Sequence, residues 1–294
     1  MYYGLLTVSV IMFGIQFLLN SQYGKESGNG SGATFVFSFI GGIIGVISLT
    51  VINGFKLEVT AFTLLMASLS ALNSILYTFC ALKSFQHINL SLYSLFAMLG
   101  GMILPFFQGI IFYGEPITLA KCVCVLFIAA ALILCTAKGD KKGGTVYYAG
   151  VFVLNGMSGV LTKIFQSSAF PKTSSAMYSV WSATISTLLS GTVILAMLII
   201  SKSKKDGTSL LPKFKFKAVA YASGCGILGN VANYFLLIAL AVLPASVQYP
   251  FITGGVMIVS TVISALTVTK PSRKEILAVT LSFIGIIALV LIPI

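Results

Sequence analysis

Residues 114–134 read GEPITLAKCVCVLFIAAALIL, and residues 270–291 read KPSRKEILAVTLSFIGIIALVL. In both, a charged residue and a proline lead through a short polar turn into an unbroken apolar run. The chain is 57% hydrophobic and 8% charged over 294 residues, far from the roughly 25% charged of a globular domain. Its 18 Lys and Arg and 6 Asp and Glu are too few to cover a soluble core and fall mostly in short clusters between apolar runs. Lipid supplies the missing cover.

A membrane-spanning helix needs about 20 mostly apolar residues. By that measure the sequence predicts an all-α integral membrane protein of ten spans: approximately 2–20, 33–52, 61–82, 90–113, 119–137, 146–166, 175–200, 218–241, 245–269 and 276–293. The breaks carry turn chemistry, GKESGNGSG at 24–32, INGFKLE at 52–58, KGDKKGG at 138–144 and SKSKKDGTSLLPKFKFK at 201–217. None can hold a soluble domain. The first span lacks a basic leader and a small-residue cleavage site and is expected to be a retained helix, not a signal peptide.

The echo extends upstream of both proline turns. Asn73 and Asn230 each precede an aromatic and an Ala-Leu pair (Ala81 and Leu82; Ala239 and Leu240), followed by Tyr93 or Tyr249 and by Gly100–Gly101 or Gly254–Gly255. A five-span unit is written twice, as 1–137 and 146–294 about a connecting loop at 138–145. Five is odd, so the second copy is expected upside down, the inverted repeat of many transporters.

LYTFCAL at 76–82, NYFLLIAL at 233–240 and above all GEPITLAKCVCVLFIAAALIL make the chain resemble the drug/metabolite transporter superfamily in its ten-span EamA-like branch. The resemblance covers nearly the whole length, and the 114–134 stretch looks like the family's GE-x-L-T turn and fifth helix. The second copy departs from it: Lys270 stands where the glutamate would be. What the resemblance implies is transport of a small organic solute by alternating access, through a mid-membrane cavity walled largely by the first, third and fourth helices of each copy.

The residues themselves narrow the cargo. Glu26, Glu58, Glu115, Asp140, Asp206 and Glu275 all fall in loops or at span ends, so the intramembrane carboxylate that proton-coupled export of cationic drugs uses is missing, and a multidrug exporter is disfavoured. Mid-span positions offer amides, hydroxyls and aromatics, including Asn20, Gln108, Ser158, Asn233 and Gln248. Combined with the helices that the family implies, the candidate substrate contacts are Gln16, Asn73, Tyr77, Tyr93, Asn155, Asn230, Tyr234 and Tyr249. Amides pair with polar groups and tyrosines stack or donate; the competing account is that such groups glue helices together in lipid. Candidate pathway or hinge residues are Lys163, Trp181 and the in-helix prolines Pro105 and Pro250. Snorkelling of Lys163 to the headgroups is the favoured alternative to a pathway role, and His87, the one histidine, is expected in a solvated loop. Glycines such as Gly41, Gly45, Gly156, Gly159 and Gly226 suit close helix packing.

Cys80, Cys122, Cys124, Cys135 and Cys225 lie inside apolar spans without a ligand-forming cluster and read as small hydrophobes. No metal, cofactor or catalytic constellation is expected, which argues against an enzyme. Partners are a small-molecule substrate and the bilayer, with no nucleic acid; the chain is expected to work as a monomer. The function read here is a carrier for a small neutral or zwitterionic metabolite (amino-acid-, nucleoside- or sugar-like) in the plasma membrane, the alternative being a flippase for a lipid-linked sugar or phosphate, with Lys163 as its basic site. Of the Lys and Arg residues, fourteen fall on the side away from the termini and four on the side with them. That count places both termini outside, whereas the family resemblance implies cytoplasmic termini.

Overall fold

A computed structural model describes residues 2–28, 30–84, 90–134, 144–203, 210–267 and 273–291. These form ten α-helices: α1 Tyr2–Ser27, α2 Ser31–Ile52, α3 Ala61–Ser84, α4 Leu90–Tyr113, α5 Leu119–Leu134, α6 Thr145–Ser167, α7 Ser175–Ser203, α8 Phe216–Leu240, α9 Ala245–Thr267 and α10 Arg273–Leu291. Within the described residues seven of them (α1, α2, α3, α6, α7, α8 and the Phe96–Tyr113 part of α4) are long and apolar enough to cross a membrane. Their outer faces are apolar: Ile47, Leu65, Ile111, Leu188 and Ile199 are exposed. Exposed apolar side chains on so many helices fit a lipid solvent.

The turn expected over 24–32 starts later, because α1 continues to Ser27. The buried Tyr23 hydroxyl donates to the Ala33 carbonyl at 2.8 Å, and Glu26 pairs with Lys215 at 3.1 Å. Both fix the last turn of α1, and Gly28 (φ 76°) reverses the chain behind it.

α1 packs mainly on α8 and α9, α6 on α4 and α3, α2 on α7 and α8, and α5 on α10, while α3 also meets α7 and α4 meets α9. Close approaches give directions. Gly14 meets Val259 and Gly255 meets Val10, so α1 and α9 run parallel; Gly101 meets Asn155 and Gly159 meets Pro105, so α4 and α6 do too. Gly42 meets Thr187 and Gly191 meets Phe39, making α2 and α7 antiparallel. A side chain at Gly226 would lie 2.9 Å from the Gly41 backbone; only glycines let α2 and α8 touch there. We call the end where α1 begins proximal and the other distal. The proximal end carries the short connections 53–60, 114–118, 168–174 and 241–244.

Candidate functional site

A cavity of about 320 Å³ lies in the middle of the bundle, lined by α1–α4 and α6–α9. Its lining runs from Thr162, Leu236 and Tyr249 at its proximal end toward Asn20, Phe37 and Ala81, into the distal halves of α1, α2 and α3. Six expected contact residues border it: Gln16, Asn73, Tyr77, Asn155, Asn230 and Tyr249. Two do not. The Tyr93 side chain is buried behind the wall, its hydroxyl 2.7 Å from that of Tyr77, so it positions Tyr77 and does not itself line the space. Tyr234 turns from the cavity to pack on the cluster of Leu49, Met177 and Val180. Most of the lining lies on α1, α3, α4, α6, α8 and α9, and α2 and α7 add Phe37, Ser38, Gly41, Gly42, Ser182 and Ser186.

The asparagines share one arrangement. Asn73 Nδ2 donates to Leu154 O at 2.9 Å, Asn155 Nδ2 to Ala97 O at 2.5 Å, Asn230 Nδ2 to Gly226 O at 2.7 Å, and Asn233 Nδ2 to Gly229 O at 2.9 Å. A backbone carbonyl can only accept, so each amide must turn its nitrogen to the wall. Asn20 Oδ1 is buried and meets no partner. Hydroxyl hydrogens are spent similarly, Thr78 on Ser74 O (2.9 Å), Thr162 on Ser158 O (2.8 Å) and Tyr249 on Gly159 O (3.0 Å). Phe13, Phe17, Phe37 and Met98 add apolar surface, and no Asp, Glu, Lys, Arg or His stands among the described lining residues.

Beyond Tyr249 the proximal end is shut. Phe165 stacks on Tyr178 with centroids 4.1 Å apart, and Phe62 lies parallel to Phe165 at 6.2 Å. Thr173 donates through its N–H to Thr63 Oγ1 at 3.0 Å, and Gln166 bridges Ser175 Oγ and Leu237 O, each at 2.8 Å. Trp181 stands outside the cavity: its indole donates to Glu58 O at 2.9 Å and ties α7 to the 53–60 connection.

The GEPIT turn belongs to this closure. Gly114 has φ 62°, which lets the Glu115 N–H reach back to Gly109 O at 3.1 Å. A side-chain carbon at Gly109 would stand 2.6 Å from Glu115 Oε2, so glycine makes room for the carboxylate. That carboxylate accepts from the N–H groups of Ala245 (3.0 Å) and Ser246 (2.9 Å), the first residues of α9. Pro244 precedes α9 and has no side-chain acceptor, so Glu115 caps the helix from a distant part of the chain, where its charge also meets the positive end of the dipole. Burial alone raises the Glu115 carboxyl, but the bonds from Ser246, Lys163 and Ala245 outweigh it and hold the pKa below the ordinary carboxylate value. Lys163 does not snorkel: its ammonium lies 3.1 Å from Glu115 Oε1 and 5.2 Å from the centre of the Tyr113 ring, with 11% of the side chain exposed. An unpaired carboxylate outweighs the pull of the headgroups. The neighbouring Lys121, also buried, donates to Pro116 O at 2.8 Å and holds the turn shut. The missing cap before α9, in LPAS, was the available sequence signal for this role.

α4 and α9 continue as helices through Pro105 and Pro250. Four cysteines are free thiols, with Cys225 on the cavity wall. His87, Cys135 and Lys270 lie outside the described residues.

No family model and no curated protein matches the chain. Solved structures do match. One, described as "Crystal structure of protein", superimposes with a TM-score of 0.73 at 15% identity, covering 98% of this chain and 95% of its own. At that identity the likeness speaks for the fold alone.

Proposed function

We propose that the protein is a ten-span carrier of the drug/metabolite transporter type that moves a small neutral or zwitterionic organic solute by alternating access, with α1–α5 and α6–α10 as inverted repeats. The observation that carries this reading is the uncharged polar cavity in the middle of the bundle, lined by helices of both proposed repeats, with packed aromatic side chains beyond its proximal end. Packing supports the repeat. Replacing each helix by the one five places on turns the α1–α8 contact into α6–α3, α1–α9 into α6–α4, and α2–α8 into α7–α3, and maps α2–α7, α4–α9 and α5–α10 onto themselves. Individual residues follow: Val10 stands to Gly255 as Asn155 stands to Gly101, and Gly14 to Val259 as Gly159 to Pro105. Parallel α1 and α9, parallel α4 and α6, and antiparallel α2 and α7 are what ten alternating spans require, and binding near the repeat interface is the usual plan of such carriers.

The repeats differ at their ends, and that difference suits a captured one-sided state. Proximal closure rests on stacked aromatics and a buried ion pair; the Glu26–Lys215 pair at the distal end is 32% and 50% exposed, a class worth only about 0–1 kcal/mol. Committing Lys163 to Glu115 leaves the cavity without the basic group that a phosphate-bearing lipid would need, which favours a solute carrier over a flippase. With the distal end in the cytoplasm, as the Lys and Arg distribution directs, the cavity extends toward the cytoplasm of the plasma membrane.

The test is a thermal-stabilisation screen of the purified protein against neutral and zwitterionic metabolites, followed by uptake of the hits into proteoliposomes. A stabilising solute that accumulates only in protein-containing vesicles is expected; stabilisers that are never transported would overturn the carrier reading.

A further inference from the structure

We infer that residues 213–217, KFKFK, at the distal end of the bundle, form a docking surface for anionic phospholipid headgroups of the leaflet around that end. Such a surface needs the bilayer alone and is independent of what the cavity carries.

Lysine and phenylalanine alternate through this stretch, which leads into α8 at Phe216. The backbone of Lys215 is extended, with φ −134° and ψ 127°, so its side chain projects to one side and those of Phe214 and Phe216 to the other. Lys215 turns inward to Glu26 at the end of α1, 3.1 Å away. The two rings turn outward: at 84% and 80% exposure, Phe214 and Phe216 are the most exposed large apolar side chains among the described residues. Lys213 and Lys217 are exposed beside them. The level in the membrane follows from helix length. The 25 residues of α8 span about 37 Å at ~1.5 Å each, against a hydrocarbon core of about 30 Å, so an end of this helix stands at headgroup depth. There phenyl rings enter the acyl boundary while ammonium groups reach the phosphates.

Charge selects the headgroup. Lys25 is exposed on the last turn of α1, and Glu26 is the one acidic residue among those described at the distal ends of α1, α2, α7 and α8. One carboxylate, itself 32% exposed in its pair with Lys215, leaves the patch strongly basic. Each lysine near an anionic membrane surface favours binding by about fivefold, and a zwitterionic headgroup returns none of that. The Lys and Arg excess of the distal side directs that end to the cytoplasmic leaflet, where anionic lipids collect. A phospholipid presents an anionic group and hydrocarbon at adjoining depths, which matches lysine and phenylalanine on adjoining residues. Glu26 then competes with the lipid phosphate for Lys215.

The test is tryptophan quenching in the full-length protein carrying Phe214→Trp and Trp181→Phe. It is reconstituted in phosphatidylcholine vesicles that contain either phosphatidylcholine or phosphatidylglycerol brominated on the acyl chains. Quenching at position 214 should show phosphatidylglycerol favoured over phosphatidylcholine by at least about fivefold. Trp181 of the parent, the one native tryptophan, is tied to Glu58 O toward the proximal end and should show no such preference. Replacing the exposed pair, Lys213→Gln with Lys217→Gln, should lower the ratio at 214 at least about threefold, and Glu26→Gln, which frees Lys215, should raise it about twofold. If Phe214→Trp fails to fold, Phe216→Trp takes its place. A ratio near one at 214, a ratio that survives the double lysine replacement, or an equal preference at Trp181 overturns the inference. So does a tryptophan at 214 that neither lipid quenches, the result for a segment standing in water or seated on another protein.

Discussion

Lys163 Nζ lies 3.1 Å from Glu115 Oε1, and the same carboxylate receives the Ala245 N–H at 3.0 Å and the Ser246 N–H at 2.9 Å. One residue of the first half thus holds α6 and the start of α9 together at the closed end. Breaking a buried pair leaves the survivor uncompensated, so Lys163→Met should cost about 2–4 kcal/mol of stability. Glu115→Gln, which keeps one acceptor for α9, should cost less than Glu115→Ala. A double-mutant cycle over Glu115→Gln and Lys163→Met should return a coupling of about 1–3 kcal/mol. Additive effects would mean that the pair is not formed. Lys215→Met, at the exposed distal pair, should change stability by about 0.5 kcal/mol or less.

The pH dependence has a definite sign. Because the folded-state pKa of Glu115 is lowered, its contribution is complete above the unfolded value of about 4.3 and disappears as pH falls through the folded pKa. The melting temperature should be flat between about pH 5 and 8 and fall below about pH 4, with a shallower acid limb in Glu115→Gln. An acid limb identical in that variant would assign the transition to other groups.

Asn73 and Asn230 border the cavity and also donate hydrogen bonds to backbone carbonyls. Asn73→Ala or Asn230→Ala should weaken ligand binding at least about fivefold, while the protein still inserts and purifies, since each interhelical bond in lipid contributes only about 0.6 kcal/mol. Unchanged affinity in both variants, measured by calorimetry with any stabilising solute, would return them to a purely structural role.

Removing the aromatic closure should loosen the proximal end selectively. Phe165→Ala deletes the ring stacked between Tyr178 and Phe62 and should cost about 3–5 kcal/mol. It should also raise the labelling rate of a cysteine placed at Ser158, on the cavity wall, from the proximal face. A labelling rate equal to that of the parent would show that closure lies elsewhere.

Helix positions were legible because lipid makes hydropathy nearly the only requirement on a span, and the written-out repeat brought Asn73, Asn230 and Tyr249 to attention. Tyr77 and Tyr93 read alike in sequence, yet one borders the cavity and the other hides behind it, because neighbouring polar faces look equivalent until the helices pack. Ser38, Ser182 and Ser186 were missed since a serine in an apolar run is most often glue between helices. Lys163 was misread for a different reason: its partner is 48 residues away, and no local pattern announces a counter-charge delivered by tertiary structure.

The most direct measurement of the central claim is two-sided accessibility of Ser158→Cys in a protein whose native cysteines are replaced by alanine, reconstituted in vesicles of defined orientation. A membrane-impermeant maleimide should label it quickly from the distal face and slowly, but measurably, from the proximal face, with both rates altered by a transported solute. Labelling from the distal face alone, unchanged by any solute and by Phe165→Ala, would contradict alternating access through this cavity.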